Sequence, residues 1–189
     1  MMEIFNNQLQ EKAAKIKYFF ADVDGTLTDG TVFYSSNGEL LKDFSLRDGT
    51  GYFLLKQAGI KTGIITTECS QIVARRVEKL KIDEYIFGTS NKLNNIKSFV
   101  EKNNLFLDQI AFIGDEINDL KLLRECGLSF AVADADDRLI KTCDIVCNKR
   151  GGQGAFREAV EILLNLKGVD VDEIIEKHCN IKNEKVFLI

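Results

Sequence analysis

The sequence predicts an α/β protein: a Rossmann-like doubly wound parallel sheet with helices on both faces and a minimal β-hairpin cap. Three observations carry this expectation. Over residues 60–166, short apolar runs alternate with helical patterns, as in β-α-β units whose right-handed crossovers build a parallel sheet between two helix layers. Two apolar runs, at 16–23 and 109–114, lead directly into acids: Asp22 and Asp24 at the first, Asp115 and Asp119 at the second. Asn37-Gly38 sits between two β-prone stretches, which is the strongest short-range hairpin signal.

Each element follows in order. Residues 3–15 have a loose helical pattern through Ile4, Leu9 and Ala13 and predict a short leading helix. Ile16, Tyr18, Phe19, Phe20, Ala21 and Val23 give 16–23 the composition of a strand buried on both faces. Residues 31–35 and 40–44 flank the turn at 36–39, so a hairpin flap is expected over about 30–46. Asp48 is the expected N-cap of a helix over 49–58, with Gly59 as its stop. A strand at 60–66, a helix at 70–80 and a short strand at 85–87 come next. The helix at 92–103 places Leu93, Ile96, Phe99 and Val100 on one face. A strand at 109–114, a helix at 117–126, a strand at 129–133, a short helix at 137–142 and a strand at 144–146 continue the alternation. A long amphipathic helix at 153–166 is marked by Phe156, Val160, Leu163 and Leu164. With no repeat, linker or low-complexity stretch, 1–189 is expected to be one domain. Its last piece is a helix and tail over about 170–189 ending in Val-Phe-Leu-Ile, an apolar end expected to tuck into the core or dock on a neighbouring subunit.

Composition narrows the function. A chain of 189 residues with 45% hydrophobic and 29% charged residues has the make-up of a soluble globular protein able to bury a core. A net charge of −4 argues against a nucleic-acid or anionic-membrane surface. No apolar run reaches the roughly 18 residues of a membrane span. The first residues, M-M-E-I-F-N-N-Q-L-Q-E-K, lack a basic segment followed by an apolar core, so no signal peptide is expected and the cytoplasm is the expected location. Cys69, Cys126, Cys143, Cys147 and Cys179 show no C-x-x-C spacing, and His178 is the one histidine, expected on a solvated tail. A zinc site on local spacing, a Ser-His-Asp triad and a Cys-His pair are therefore disfavoured. The chemistry falls to carboxylates, lysine, hydroxyls and a metal.

Asp22 and Asp24 would share one side of an extended chain, with Val23 on the other. Ionised carboxylates at the end of a core strand cost several kcal/mol each unless compensated. Two such acids at a strand's carboxyl edge suit a hard cation, best Mg²⁺, although D-x-D-G alone also fits an acidic turn. Thr66 ends the 60–66 strand, where its hydroxyl could hold a phosphate oxygen or merely cap the next helix. Lys92 opens a helix after Gly88-Thr89-Ser90-Asn91, where it could reach the same edge or remain a surface lysine. Asp115 and Asp119, four apart across a strand-to-helix turn, make sense as the other end of one Mg²⁺ site.

D-V-D-G-T-L-T at 22–28, the strand-terminal Thr66, loop-borne Lys92 and G-D-E-I-N-D at 114–119 resemble, in order and context, the four motifs of the haloacid dehalogenase (HAD) superfamily of phosphohydrolases. The resemblance covers about 16–166. It implies that Asp22 is the nucleophile forming a phosphoaspartyl intermediate, and that Asp24 is the general acid and then base. It further implies Mg²⁺ held by the Asp22 side chain, the Asp24 backbone carbonyl and Asp115 with Asp119 supporting, while Thr66 and Lys92 bind the phosphoryl oxygens. The physics agrees, because an anionic nucleophile nears a phosphate dianion only once metal and lysine offset the repulsion.

R-D-G at 47–49, S-N-K-L at 90–93, A-V-A-D-A at 131–135, R-G-G-Q-G-A-F-R-E at 150–158 and the lack of a large cap look like the 3-deoxy-D-manno-octulosonate 8-phosphate phosphatase subfamily. That likeness implies a homotetramer in which a neighbour helps to close each open site. R-G-G-Q-G lacks the Lys-Ser/Thr of a nucleotide P-loop and is expected to border the active site. Thr66-Thr67-Glu68 departs from the T-G-R of the octulosonate enzymes. An acid at 68, with R-R-V-E-K-L-K at 75–81, is similar to the related phosphatases of nine-carbon ulosonate 9-phosphates, the sialic-acid type. On that comparison Glu68 and Lys79 are candidate specificity residues, and Arg75, Arg76 or Arg157 would meet a sugar carboxylate. The expected function is a Mg²⁺-dependent phosphatase of a small sugar phosphate, a 3-deoxy-2-ulosonate phosphate of eight or nine carbons. The alternatives are a general HAD phosphatase or phosphotransferase, and a non-catalytic assembly module.

Overall fold

A computed structural model describes the backbone of residues 2–184; the expected apolar end at 186–189 lies outside the described residues. Helix α1 (Met2–Lys15) leads into β1 (Tyr18–Ala21) and a hairpin of β2 (Phe33–Ser35) and β3 (Gly38–Leu41). Then follow α2 (Leu46–Gln57), β4 (Lys61–Ile65), α3 (Gln71–Leu80), β5 (Glu84–Ile86), α4 (Lys92–Lys102) and β6 (Ile110–Gly114). The chain continues through α5 (Leu120–Glu125), β7 (Leu128–Ala131), α6 (Asp137–Ile140), β8 (Ile145–Val146), α7 (Ala155–Leu166) and α8 (Val171–Glu184).

Six strands form one parallel sheet in the order β5-β4-β1-β6-β7-β8, and β2 with β3 forms a separate antiparallel pair. The doubly wound sheet expected from the alternation is present. From β1 the chain builds outward through β4 and β5, then crosses to build β6, β7 and β8 on the other side. β1 thus stands at the switch point, where the crevice beyond the carboxyl ends of such sheets takes ligands.

The aromatic run of β1 explains why both faces must be covered. Phe19 points to one side, with its ring 5.3 Å from Phe156 of α7 and 5.4 Å from Phe130 of β7. Tyr18 and Phe20 point to the other, 5.1 Å and 5.2 Å from Phe99 of α4. This is the two-residue pleat of a strand buried between helix layers. Tyr52 of α2 stacks on Phe156 at 4.4 Å and joins α2 to α7. No helix among the described residues is long and apolar enough to cross a membrane.

Several boundaries differ from expectation for local reasons. The run 16–23 is strand only over Tyr18–Ala21, with one further ladder bond from Asp22, because the chain turns at Val23: the Val23 carbonyl accepts from the N–H groups of Thr26, Leu27 and Thr28 at 3.2, 2.9 and 3.0 Å. Asp48 is not the N-cap of α2. Ser45 is, its side chain accepting from the Arg47 N–H, and Asp48 lies in the first helical turn, buried. The expected helix over 117–126 opens as a tight turn at Ile117–Asp119 before α5 begins. The hairpin is shorter than the flap expected over 30–46, turning at Ser36-Asn37 and entering β3 at Gly38 with φ of +108°. Phe33, Tyr34, Leu40 and Leu41 of this hairpin are exposed.

Candidate active site

In register, Ala21 of β1 is level with Ile64 of β4 and with Ile113 of β6. Asp22, Thr66 and Asp115 therefore leave three adjacent strands at one edge of the sheet. The Asp22 N–H extends the ladder by one bond to the Ile113 carbonyl at 3.0 Å, which fixes where its side chain begins.

Ligand atoms of Asp22, Asp115 and Asp119 lie within 4.8 Å of one another. Lys92 Nζ, on a side chain with no exposed surface, donates to Asp22 Oδ1 and to Asp119 Oδ1, each at 2.5 Å. The other oxygen of Asp119 accepts from the backbone N–H groups of Asp115 (3.1 Å) and Glu116 (3.4 Å), so this residue braces the loop that presents Asp115. Thr26 donates its hydroxyl to Asp115 Oδ1 at 2.9 Å. Two glycines make room for the cluster. A Cβ on Gly114 would stand 2.3 Å from Asp119 Oδ2, and one on Gly25, at φ of +94°, would stand 2.0 Å from Asp115 Oδ2.

The charges are unbalanced. Fully ionised, three carboxylates and one ammonium leave two negative charges uncompensated in a largely buried site. Burial, then the charges of Asp22 and Asp119, push the Asp115 carboxyl up to about 8. Burial and Asp22 push Asp119 up to about 6. Burial works against the Lys92 ammonium, but Asp22 and Asp119 outweigh it and its pKa is raised. Clustered carboxylate oxygens with this excess charge are the donor set of a hard divalent cation, so the residues fit Mg²⁺.

Asp24 behaves differently from the expectation that its carboxylate converges with that of Asp22. It is not a member of the Asp22–Asp115–Asp119 group. The turn at Val23 breaks the extended alternation on which that expectation rested. Asp24 Oδ1 instead receives Lys42 Nζ at 2.5 Å. Thr66 is buried, and its hydroxyl accepts from the Glu68 N–H at 3.2 Å, while Ser70 caps α3. Thr66 is thus a loop-turning hydroxyl at the strand end and not the cap of that helix.

The candidate specificity residues are scattered. Glu68, Arg75 and Lys79 are exposed along the 66–70 loop and α3. Arg76 is half-buried, donating to the Ser45 carbonyl at 3.1 Å with its guanidinium 5.5 Å from the centre of the Phe44 ring. Arg157 pairs with Glu161 at 2.6 Å, and its N–H donates to Asp48 at 3.0 Å. Among the described residues, no hydrogen bond joins any of these five to the carboxylate cluster. R-G-G-Q-G does border the site: Gly152 N–H donates to the Thr26 carbonyl at 3.0 Å and Gly151 N–H to Asp134 Oδ1 at 3.0 Å.

Three participants escaped sequence reasoning. Thr26 and Asp134 lie inside stretches already singled out by their pattern. Lys42 carried no signal, because a lysine within the short β-prone run at 40–44 reads as a solvated side chain.

Residues 55–157 match the family model described as haloacid dehalogenase-like hydrolase. The 3-deoxy-D-manno-octulosonate 8-phosphate phosphatase KdsC of Haemophilus influenzae is 38% identical over 160 residues, 85% of this chain and 89% of that protein. Among solved structures, the octulosonate 8-phosphate phosphatase of Moraxella catarrhalis in complex with magnesium, phosphate and KDO superposes with a TM-score of 0.86 at 37% identity, covering 91% of this chain and 98% of that one. The cobalt-bound form of the Haemophilus influenzae enzyme gives a TM-score of 0.80 at 38% identity, with 83% of this chain and 92% of that one covered.

Proposed function

The chain belongs to the haloacid dehalogenase-like hydrolases and is a phosphatase, and we propose that it is a Mg²⁺-dependent phosphomonoesterase acting on a 3-deoxy-2-ulosonate phosphate, with 3-deoxy-D-manno-octulosonate 8-phosphate as substrate. The observation that carries this reading is the convergence of Asp22, Lys92, Asp115 and Asp119 at one strand edge, in a chain similar along most of its length to octulosonate phosphatases.

Asp22, the Asp24 backbone carbonyl and Asp115 would hold the Mg²⁺, with Asp119 supporting through its bonds to the Asp115 and Glu116 N–H groups. When bound, the cation supplies charge neutralisation between the nucleophile and the phosphate. Asp22 attacks phosphorus and forms a phosphoaspartate. Asp24 gives its proton to the departing sugar oxygen, then takes one from the water that hydrolyses the intermediate. Lys92 and the Thr66 hydroxyl neutralise and orient the phosphoryl oxygens.

Glu68 favours a second reading. An exposed acid beside the strand-terminal Thr66, where octulosonate enzymes carry an arginine, suits the nine-carbon ulosonate 9-phosphates of the sialic-acid type. The exposed apolar hairpin residues Phe33, Tyr34, Leu40 and Leu41 support a homotetramer in which a neighbour's surface completes the open site. Phosphate release from the eight-carbon and nine-carbon substrates, with and without Mg²⁺, tests the substrate and metal assignments together. A kcat/KM preference beyond about tenfold, roughly 1.4 kcal/mol, names the sugar. Hydrolysis of an aryl phosphate alone would leave the chemistry standing and remove the ulosonate assignment.

A further inference from the structure

Lys42 has no role in the reaction as described, yet its side chain has no exposed surface. A lysine is almost never fully buried unless it is paired. Its Nζ lies 2.5 Å from Asp24 Oδ1 and 3.3 Å from Glu39 Oε1. Glu39 belongs to β3, and its other oxygen, Oε2, accepts the Ser70 hydroxyl at 2.5 Å. Ser70 in turn caps α3 by accepting from the Val73 N–H. A continuous chain of polar contacts, Asp24–Lys42–Glu39–Ser70, therefore joins the turn after β1, the hairpin and the start of α3.

The two oxygens of Asp24 are unlike. Oδ1 is held by Lys42, whereas Oδ2 is buried and has no hydrogen-bond partner among the described residues. An ammonium only donates, so an oxygen that it holds cannot also carry a proton directed at it. A protonated Asp24 must then carry its proton on Oδ2. Because the Asp24 carboxylate stands outside the Asp22–Asp115–Asp119 group, a cation held there does not replace the lysine.

We propose that Lys42 is a positioning residue for proton donation: it pins Asp24 by Oδ1, leaves Oδ2 as the atom that protonates the leaving sugar oxygen, and ties that alignment to the seating of the hairpin through Glu39 and Ser70. This rests on the reading of Asp24 as general acid. In the step concerned, a bond forms between Asp22 and phosphorus as the bond from phosphorus to the sugar oxygen breaks. The released electron pair stays on the sugar oxygen, which takes the Oδ2 proton. The sugar leaves as an alcohol and Asp24 remains a carboxylate.

The test compares kcat/KM, which reports steps through leaving-group departure, for octulosonate 8-phosphate and for p-nitrophenyl phosphate. The nitrophenolate departs without help from an acid, so a loss of positioned proton donation falls on the sugar phosphate alone. Lys42→Met is expected to lower the sugar phosphate value by about 10²-fold and the aryl value by less than about fivefold, and Lys42→Arg to recover most of the loss. Glu39→Gln, which loosens Lys42 without touching Asp24, should show the same selectivity at about five- to tenfold, and decides the matter if Lys42→Met does not fold. Equal losses on both substrates in these variants would reduce Lys42 to a structural role and overturn the proposal. Asp24→Asn separates the two readings: if it too lacks selectivity, the general-acid role of Asp24 itself fails.

Discussion

Lys92 Nζ lies 2.5 Å from Asp22 Oδ1, a contact between residues 70 positions apart in the chain and buried on both sides. The distance shows the nucleophile candidate already matched to a fixed positive charge. The same ammonium serves Asp119, so one lysine spans two of the three carboxylates and leaves Asp115 to the Thr26 hydroxyl. The following expectations come from that arrangement and from its surroundings.

Replacing Asp22 by Asn keeps the shape of the side chain and removes the proposed nucleophile. Turnover should fall by about 10⁴-fold or more, the scale seen when a covalent nucleophile is lost. The melting temperature should be unchanged or higher, since a like charge leaves a crowded cluster. Circular dichroism melts beside single-substrate kinetics check both halves, and retained activity would remove Asp22 from its assigned role.

Metal and pH should be linked through the same cluster. Folded-state values of about 8 for Asp115 and about 6 for Asp119 lie above ordinary carboxylates. The folded, metal-free protein thus holds protons that the unfolded chain has released. The contribution of these two groups is present in full below the ordinary carboxylate range and is lost as pH rises through about 6 and then about 8. Mg²⁺ displaces those protons, so its binding should strengthen with pH across the same window. Thermal melts at pH 5.5 and 8.5, with EDTA or with millimolar Mg²⁺, should show a larger Mg²⁺-induced rise at the higher pH. An equal rise at both would contradict the coupling.

Gly151 packs its Cα against the turn that follows β1. A Cβ there would stand 1.7 Å from the Gly25 carbonyl oxygen, a backbone atom that cannot yield without moving the turn. Gly151→Ala should cost about 1–3 kcal/mol of stability, as overpacking does. It should also lower kcat/KM by about 10²-fold through misplacement of Asp22 and Asp24. Gln153→Ala, at an exposed position of the same loop, should alter neither by more than about twofold or 0.5 kcal/mol.

Asp48 is buried, its Oδ2 has no partner among the described residues, and burial pushes its carboxyl up to about 6. Above pH 6 the folded state carries an ionised group that the unfolded state accommodates more easily. Asp48→Asn keeps an acceptor for the Arg157 N–H and removes that penalty. The variant should gain about 1–3 kcal/mol relative to the parent on going from pH 5 to pH 8. Urea titrations at the two pH values decide it; a constant difference would show that Asp48 does not titrate in this window.

What the sequence disclosed follows from where each signal originates. Asp22, Thr66, Asp115 and Asp119 were legible because acids and hydroxyls at or just beyond the ends of apolar runs are locally improbable; Lys92 carried no such signal and was singled out by its place in the order of the motifs. Strand limits were less legible: Val23 is as apolar as the strand residues Phe19, Phe20 and Ala21 before it, but its carbonyl turns the chain by accepting three N–H groups. Ser45 and Asp48 both suit a helix start. The choice between them is made by α7, whose Arg157 N–H claims Asp48 from 109 positions away. Lys42 was invisible for the same reason, since its burial depends on the hairpin folding back over Asp24.

The sheet order has one more consequence. The strands that carry Asp22, Thr66 and Asp115 occupy the interior, while the margins are β5, with three residues, and β8, with two. Such short outer strands fray first in any folded sheet, and their amide protons trade with solvent soonest. Fraying on either flank stops at a strand that bears no carboxylate of the cluster. The molecule can breathe at its borders while the carboxylates of the cluster keep their spacing.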